Sequence, residues 1–261
     1  MNAATYLYCL IRRPAPPDFA GAPAGVPGAS PPRLLPVSDG LWLVAADVPL
    51  PDYGEAEIAS RLEDLAWVSE RALGHEAMVE HFARSEPGEA SEVDALVPMK
   101  LFTLFASDRR AVEHVAGELP RLRLVLDRVA GREEWGVRVL RSPEGARAEP
   151  AEGTAERPAS GRDFLARKQG QRDAARRAPA EAKAAAEEAF RTLAARAADA
   201  RGREPEAGTS LVLDAAFLVP RRDREPFQQA VAEAARELAG ARCELTLTGP
   251  WPPYNFVEEE R

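Results

Sequence analysis

Short apolar runs and longer stretches of three-and-four periodicity alternate along this chain. The β-branched and aromatic run "TYLYCLI", residues 5–11, predicts a buried strand. Residues 14–32 are nearly all Pro, Ala or Gly and predict a surface loop or variable insertion, not a packed element. "RLLPVSDGLWLVAADV", residues 33–48, holds two apolar runs parted by Ser38, Asp39 and Gly40, and the Asp-Gly pair is a strong local hairpin signal. Within 55–83, Leu65, Val68, Ala72, His75, Val79 and Phe82 recur at spacings of three and four, which puts a core-facing stripe on one side of a helix. "SEPGEASE", residues 85–92, ends that helix as a linker.

The second half repeats a simpler order. "ALVPMKLFTLF", residues 95–105, is strand-like at its start, with Pro98 at a bulge or an edge. Asp108 is the expected N-cap of a helix carrying Val112, Val115, Leu119, Leu122 and Val125. "EEWGVRVL" alternates as a strand, and an Ala-rich helical stretch over about 164–200 follows, broken or kinked at Pro179. "TSLVLDAAFLV" predicts a strand, residues 224–238 a helix and "CELTLTG" a last strand. With the long helix set aside, the order is β-α-β twice, the split βαβ or ferredoxin-like arrangement. The expected fold class is therefore α+β with two domains. Residues 1–92 form an N-terminal α+β domain and 93–249 a modified ferredoxin-like domain, with a helical insertion at about 160–203. Residues 250–261 form a Pro/aromatic tail, which begins within "LTGPWPPYNFV", three prolines and three aromatics with no ionised side chain.

Composition narrows the class of function. A chain of 261 residues with 45% hydrophobic content can bury sizeable cores. It shows no run long enough to span a membrane and no signal-peptide pattern, so the expectation is a cytoplasmic protein without membrane contact. Cys9 and Cys243 both lie in strand-like runs and are read as reduced, buried residues. A formal net charge of −8 argues against nucleic acid as a partner. The charge is unevenly placed: residues 52–94 carry twelve carboxylates against Arg61, Arg71 and Arg84, whereas 162–177 carries six basic residues against Asp163 and Asp173. Each region can attract a different partner.

Catalytic signatures fail one by one. His75 and Glu76 begin an H-E-x-x-H pattern, but position 79 is Val, so the second zinc ligand is missing. His81 lies about 120° around the helix from His75, and His114 stands alone. His75 is read as a satisfied histidine on a buried stripe. Neither a dinucleotide fingerprint, nor a P-loop, nor a serine-hydrolase elbow is present. Glu133 and Glu134 are adjacent on a strand, face opposite ways and cannot form an acid/base pair, so one is expected to be solvated and the other to sit at a sheet edge. The expectation is a protein that is not an enzyme, with no cofactor and no metal. The basic run "RKQGQRDAARR" lacks aromatics that stack on bases and reads as a solvated helix face open to an acidic partner.

Six blocks occur in a recognisable order: Tyr6-Leu7-Tyr8, "AWVSERALGHEAMVE" (66–80), "LVPMKLFTLF" (96–105), "GREEWGVRV" (131–139), "GRDFLARK" (161–168) and "LTGPWPPYNFV" (247–257). Together they resemble the gas vesicle protein L/F family over nearly the whole chain, the last block being the most specific. Where members of that family often carry Arg-Phe-Gly, this chain has Lys100, Leu101 and Thr103 around Phe102, which puts a role for a glycine or arginine there in doubt. The resemblance implies an accessory protein of gas vesicle formation whose partners are the hydrophobic shell protein and other gas vesicle accessory proteins. It implies a two-domain α+β fold with a ferredoxin-like C-terminal part and carries over no catalytic residue. A minor structural component of the vesicle wall is the alternative, and a ferredoxin-like enzyme or sensor is a third reading. The candidate partner-binding residues are Trp251, Tyr254 and Phe256 in the tail and Arg172, Arg176 and Arg177 in the basic helix. For the tail aromatics, covering their own protein outweighs recognition of a partner, because buried aromatics are chiefly core material.

Overall fold

The computed structural model describes residues 3–84, 94–142, 161–206 and 208–257. Two sheets and seven α-helices make an α+β fold among these residues. By internal contacts the chain divides into two compact units, Met1–Glu134 with Pro250–Arg261, and Trp135–Gly249.

The first unit is built on β1 (Ala3–Arg12), which is buried along nearly its whole length. β2 (Arg33–Ser38) and β3 (Leu41–Pro49) form the expected hairpin, closed by Asp39 and Gly40, where Gly40 takes φ 70°. That left-handed geometry matches the twist of the two strands and favours glycine. β3 pairs antiparallel with one side of β1. Three helices follow: α1 (Leu50–Tyr53), α2 (Glu55–Arg61) and α3 (Leu65–Ala83). The single helix expected over 55–83 is thus interrupted, and Asp64 caps the restart by accepting a hydrogen bond from Trp67 N.

β4 (Ala95–Pro98) and β5 (Leu104–Phe105) both pair antiparallel with the free side of β1. This corrects the expectation that residues 95–105 open the second sheet. The apolar β4 completes the first sheet instead, and α4 (Asp108–Gly117) and α5 (Leu119–Val129) pack beside it. The expected boundary near residue 92 itself lies outside the described residues. Ser107, not Asp108, caps α4 by accepting from Arg110 N. Asp108 instead ties α4 to the sheet, pairing with Arg33 at 2.5 Å and accepting from Thr5 Oγ1 at 2.8 Å. Arg12 similarly bridges Asp94 at 2.7 Å and Asp127 at 2.5 Å, tying β1 to α5.

The second unit contains β6 (Arg132–Arg141), α6 (Gly161–Ala194), β7 (Asp199–Arg203), β8 (Leu211–Pro220), α7 (Arg224–Gly240) and β9 (Cys243–Trp251). Its strand order is β7-β8-β6-β9. Trp135, Val137 and Val139 of β6 meet Phe217 of β8, Phe227, Val231 and Leu238 of α7, and the stripe Ala182, Ala186, Ala189 and Leu193 of α6. The long helix is therefore core material in its C-terminal half and not an insertion set apart from the sheet. Small alanines succeed there because they lose no side-chain entropy and let the helix lie close. The helix does not break at Pro179, where a break or a kink was expected, but continues through it.

Candidate functional site

A groove of about 650 Å³ opens on the first unit. Its wall comes from α1, α2 and the residue after it, the turn after β4, and β5: Leu50, Tyr53, Ile58, Leu62, Phe102, Leu104 and Phe105, with Glu55 the one acidic residue of the lining. Leu50 and Leu62 are 39% and 56% exposed although they stand among charged neighbours. Exposed leucines scattered singly carry little meaning, but two on the rim of one apolar groove mark a surface suited to an apolar partner.

Behind the groove lies a buried aromatic and cationic cluster. The buried face of α3 consists of Trp67, Arg71, His75, Met78, Val79 and Phe82. The expected stripe is buried at His75, Val79 and Phe82, but in the first turns Trp67 and Arg71 are buried in place of Leu65, Val68 and Ala72, and Leu65 is 78% exposed. The reason is Arg71, which is buried despite its charge. Its guanidinium carbon sits 4.0 Å from the centre of the Trp67 ring and 5.3 Å from that of Tyr53, and ring faces attract cations. Trp67 in turn stacks on Phe102 with ring centres 5.4 Å apart. The signal was present in the sequence as a Trp and an Arg four residues apart, one helical turn, and was masked by the habit of placing arginine outside.

A hydrogen-bonded chain fixes this cluster. His75 Nε2 lies 3.1 Å from Met99 O, which can only accept, so Nε2 carries the proton and Nδ1 accepts from Tyr6 Oη at 2.8 Å. Tyr6 Oη accepts from Phe102 N at 3.4 Å. Burial holds the Tyr6 phenol far above its ordinary range and pushes the imidazole of His75 down to about 4, so both are neutral near pH 7. Tyr53 Oη donates to Pro27 O at 2.7 Å, and desolvation raises its phenol to about 12 even though Arg71 opposes the shift. These hydrogen bonds and ring contacts fix the shape of this part of the interior.

The Pro-rich loop is more structured than its composition predicts. Val26 is buried and donates its backbone N–H to Tyr8 Oη at 3.1 Å, and Phe19 packs edge-on to Phe82. Gly25 and Gly74 permit this approach. A Cβ on Gly25 would meet Tyr8 Oη at 2.3 Å, and one on Gly74 would meet Gly25 O at 2.5 Å.

The residues nominated from sequence are placed as follows. Phe256 is fully buried and Tyr254 half-buried against the first unit's core, whereas Trp251 is 38% exposed. Glu134 holds the tail, accepting from Asn255 N at 2.8 Å and Asn255 Nδ2 at 2.6 Å. Glu133 and Glu134 are both buried, which corrects the expectation of a solvated member. The strand places one of them where the tail's amides need an acceptor. Arg172, Arg176 and Arg177 are exposed on α6, and Arg177 Nε bonds Asp173 O of its own helix at 3.3 Å. They are not part of the groove. Among the described residues no cluster of His, Cys, Asp and Glu fits a metal ion, and no helix is long and apolar enough to cross a membrane.

Comparison with known proteins agrees across the chain. The sequence model of the family described as "Gas vesicle synthesis protein GvpL/GvpF" matches residues 4–258. Gas vesicle protein L of Streptomyces sp. (strain CB03234) is 36% identical over 242 residues, 88% of this chain and 84% of that one. The crystal structure of GvpF from Anabaena sp. PCC7120 superposes with a TM-score of 0.69 at 15% identity, covering 99% of this chain and 98% of that one. GvpF from Microcystis aeruginosa gives 0.64 at 15% identity, covering 98% and 99% respectively.

Proposed function

Because this chain belongs to the gas vesicle synthesis protein GvpL/GvpF family, we propose that its part in gas vesicle formation is to hold the hydrophobic shell subunit during nucleation, on the apolar groove of the first unit. The carrying observation is the groove itself, with Leu50 and Leu62 left exposed on its rim. A subunit destined for a gas-facing wall exposes apolar surface before assembly, and such surface aggregates unless covered. Covering it is worth about 25 cal/mol per Å². Ordering and rigid-body entropy oppose this gain, which keeps the hold reversible. Other gas vesicle accessory proteins are further partners in this reading, and the site of action is the assembling vesicle in the cytoplasm. We also read the second unit as a ferredoxin-like (split βαβ) sandwich, on the ground that its elements run β-α-β-β-α-β in sequence.

Deletion of the gene is expected to abolish gas vesicles, seen by electron microscopy. In pull-downs with purified shell protein, Leu62→Asp and Ile58→Asp are expected to lose capture. Trp251→Ala and the triple change Arg172→Gln, Arg176→Gln, Arg177→Gln are expected to retain it. Loss confined to the arginine variant would move the holding surface to the basic helix.

A further inference from the structure

The outer face of α3 carries apolar side chains that nothing in the chain covers. Leu65 and Leu73 are 78% and 67% exposed, and they stand eight residues apart with the exposed Ser69 midway between them. At a rise of about 1.5 Å per residue the two leucines lie about 12 Å apart along one side of the helix, which leaves a notch over the small serine. The setting is acidic. Glu63, Asp64 and Glu70 are exposed, and between residues 62 and 77 the one Lys or Arg is the buried Arg71. Glu76 is half-buried, and burial together with the neighbouring Glu80 raises its carboxyl above the ordinary range, which an arriving cation would relieve.

A surface of opposite sign lies at the start of α6. Leu165 is 66% exposed, and Lys168, Arg172 and Arg176 follow it at i+3, i+7 and i+11, which puts all four on one side of the helix. The three cations are exposed, and none has an ion-pair partner among the described residues. We propose that this chain associates with a second copy of itself, the outer face of α3 on one copy receiving the Leu165 stripe of α6 from the other. With Leu165 seated over Ser69, Arg172 reaches the level of Glu76 if the helices run parallel and of Glu63 if they run antiparallel, so either direction brings opposite charges together. Two α3 faces, or two α6 stripes, would meet as like charges, so each face takes the other kind. Every copy brings both faces, and the contact needs no further component. Exposed ion pairs and a few leucines make a moderate, salt-sensitive hold.

Sedimentation velocity of the full chain alone tests this, and because no shell protein is present its result stands apart from that of the holding function. The wild type is expected to pass from monomer to dimer or larger species as its concentration rises at low ionic strength, and to return toward monomer in about 1 M salt, where the Debye length falls to about 3 Å. The double change Leu65→Lys, Leu73→Lys on α3 and the triple change Lys168→Gln, Arg172→Gln, Arg176→Gln on α6 are each expected to weaken association at least about tenfold, with the far-ultraviolet circular dichroism of the wild type retained. An equal mixture of the two variants is expected to form dimers that neither forms alone, through the one intact pair of faces left between them, and that recovery also shows both variants to be folded. A wild type that stays monomeric overturns the self-contact, whether or not the basic stripe then binds anionic vesicles. Association that salt and both variants leave unchanged, or variants that give no dimer on mixing, overturns it equally.

Discussion

Tyr6 Oη donates to His75 Nδ1 across 2.8 Å in the interior of the first unit, joining the central strand to the longest helix of that unit through one hydrogen bond. The bond exists only while the imidazole is neutral, and burial keeps it so by lowering His75 to about 4 against an ordinary value of 6.5. Between those values the unfolded chain binds a proton that the folded chain refuses. His75 therefore contributes its full stability above about pH 6.5, and the contribution is lost progressively as pH falls toward 4. The loss amounts to at most about 3 kcal/mol. Urea midpoints measured from pH 7 to pH 4 should show this decline, and His75→Gln should flatten it.

Removing the phenol tests the same chain from the other end. Tyr6→Phe leaves His75 Nδ1 and Phe102 N without their partner while the ring packing is kept. An unmet buried polar group costs about 1–3 kcal/mol. Equilibrium unfolding should register that loss, and the double change Tyr6→Phe, His75→Leu should cost less than the two single changes added together.

Phe102 adopts φ 64°, a left-handed conformation that side chains with a Cβ resist. Its ring stack on Trp67 and the bond from its backbone N–H to Tyr6 hold it there. Phe102→Ala loses the ring and keeps the strain, whereas Phe102→Gly loses the ring and relieves the strain. Glycine is therefore expected to be less damaging than alanine by about 1 kcal/mol, the reverse of the usual order. Thermal or urea unfolding of the two variants side by side decides it.

Asn255 clamps the tail through both its backbone and its side-chain amide to Glu134. Asn255→Ala removes one bond to a charged acceptor, worth about 1.5–3 kcal/mol. Phe256 is fully buried, so loosening the clamp should expose the peptide bonds around it to protease before the rest of the unit opens. Limited proteolysis with mass readout should place the first cut after residue 250 in the variant only.

The sequence was legible wherever one local pattern sufficed. The hairpin at Asp39-Gly40, the buried run of β1 and a helix over residues 224–238, observed as 224–240, follow from turn chemistry and periodicity; of the tail aromatics, Tyr254 and Phe256 pack on the chain itself while Trp251 stays 38% exposed. It was illegible where a choice of partner decided the outcome. Residues 95–98 read as a strand correctly, but nothing local says whether that strand joins β1 or β6; the edge of β1 captures it. The burial of Arg71 was not legible because it depends on Tyr53 arriving from α1 to join Trp67 of its own helix. The Pro-rich loop read as unpacked because its tethers are the hydroxyls of Tyr8 and Tyr53.

By itself, then, the sequence determined the α+β class, the local elements, the family blocks and the lack of the usual catalytic motifs. These depend on periodicity, turn residues and spacing, which act within a few residues. Tertiary structure alone decided which strands share a sheet, that α6 belongs to a core, and that a groove with exposed leucines stands before a buried arginine. Those outcomes depend on side chains distant in sequence competing for the same buried surface, and that competition is settled only when the whole chain has packed.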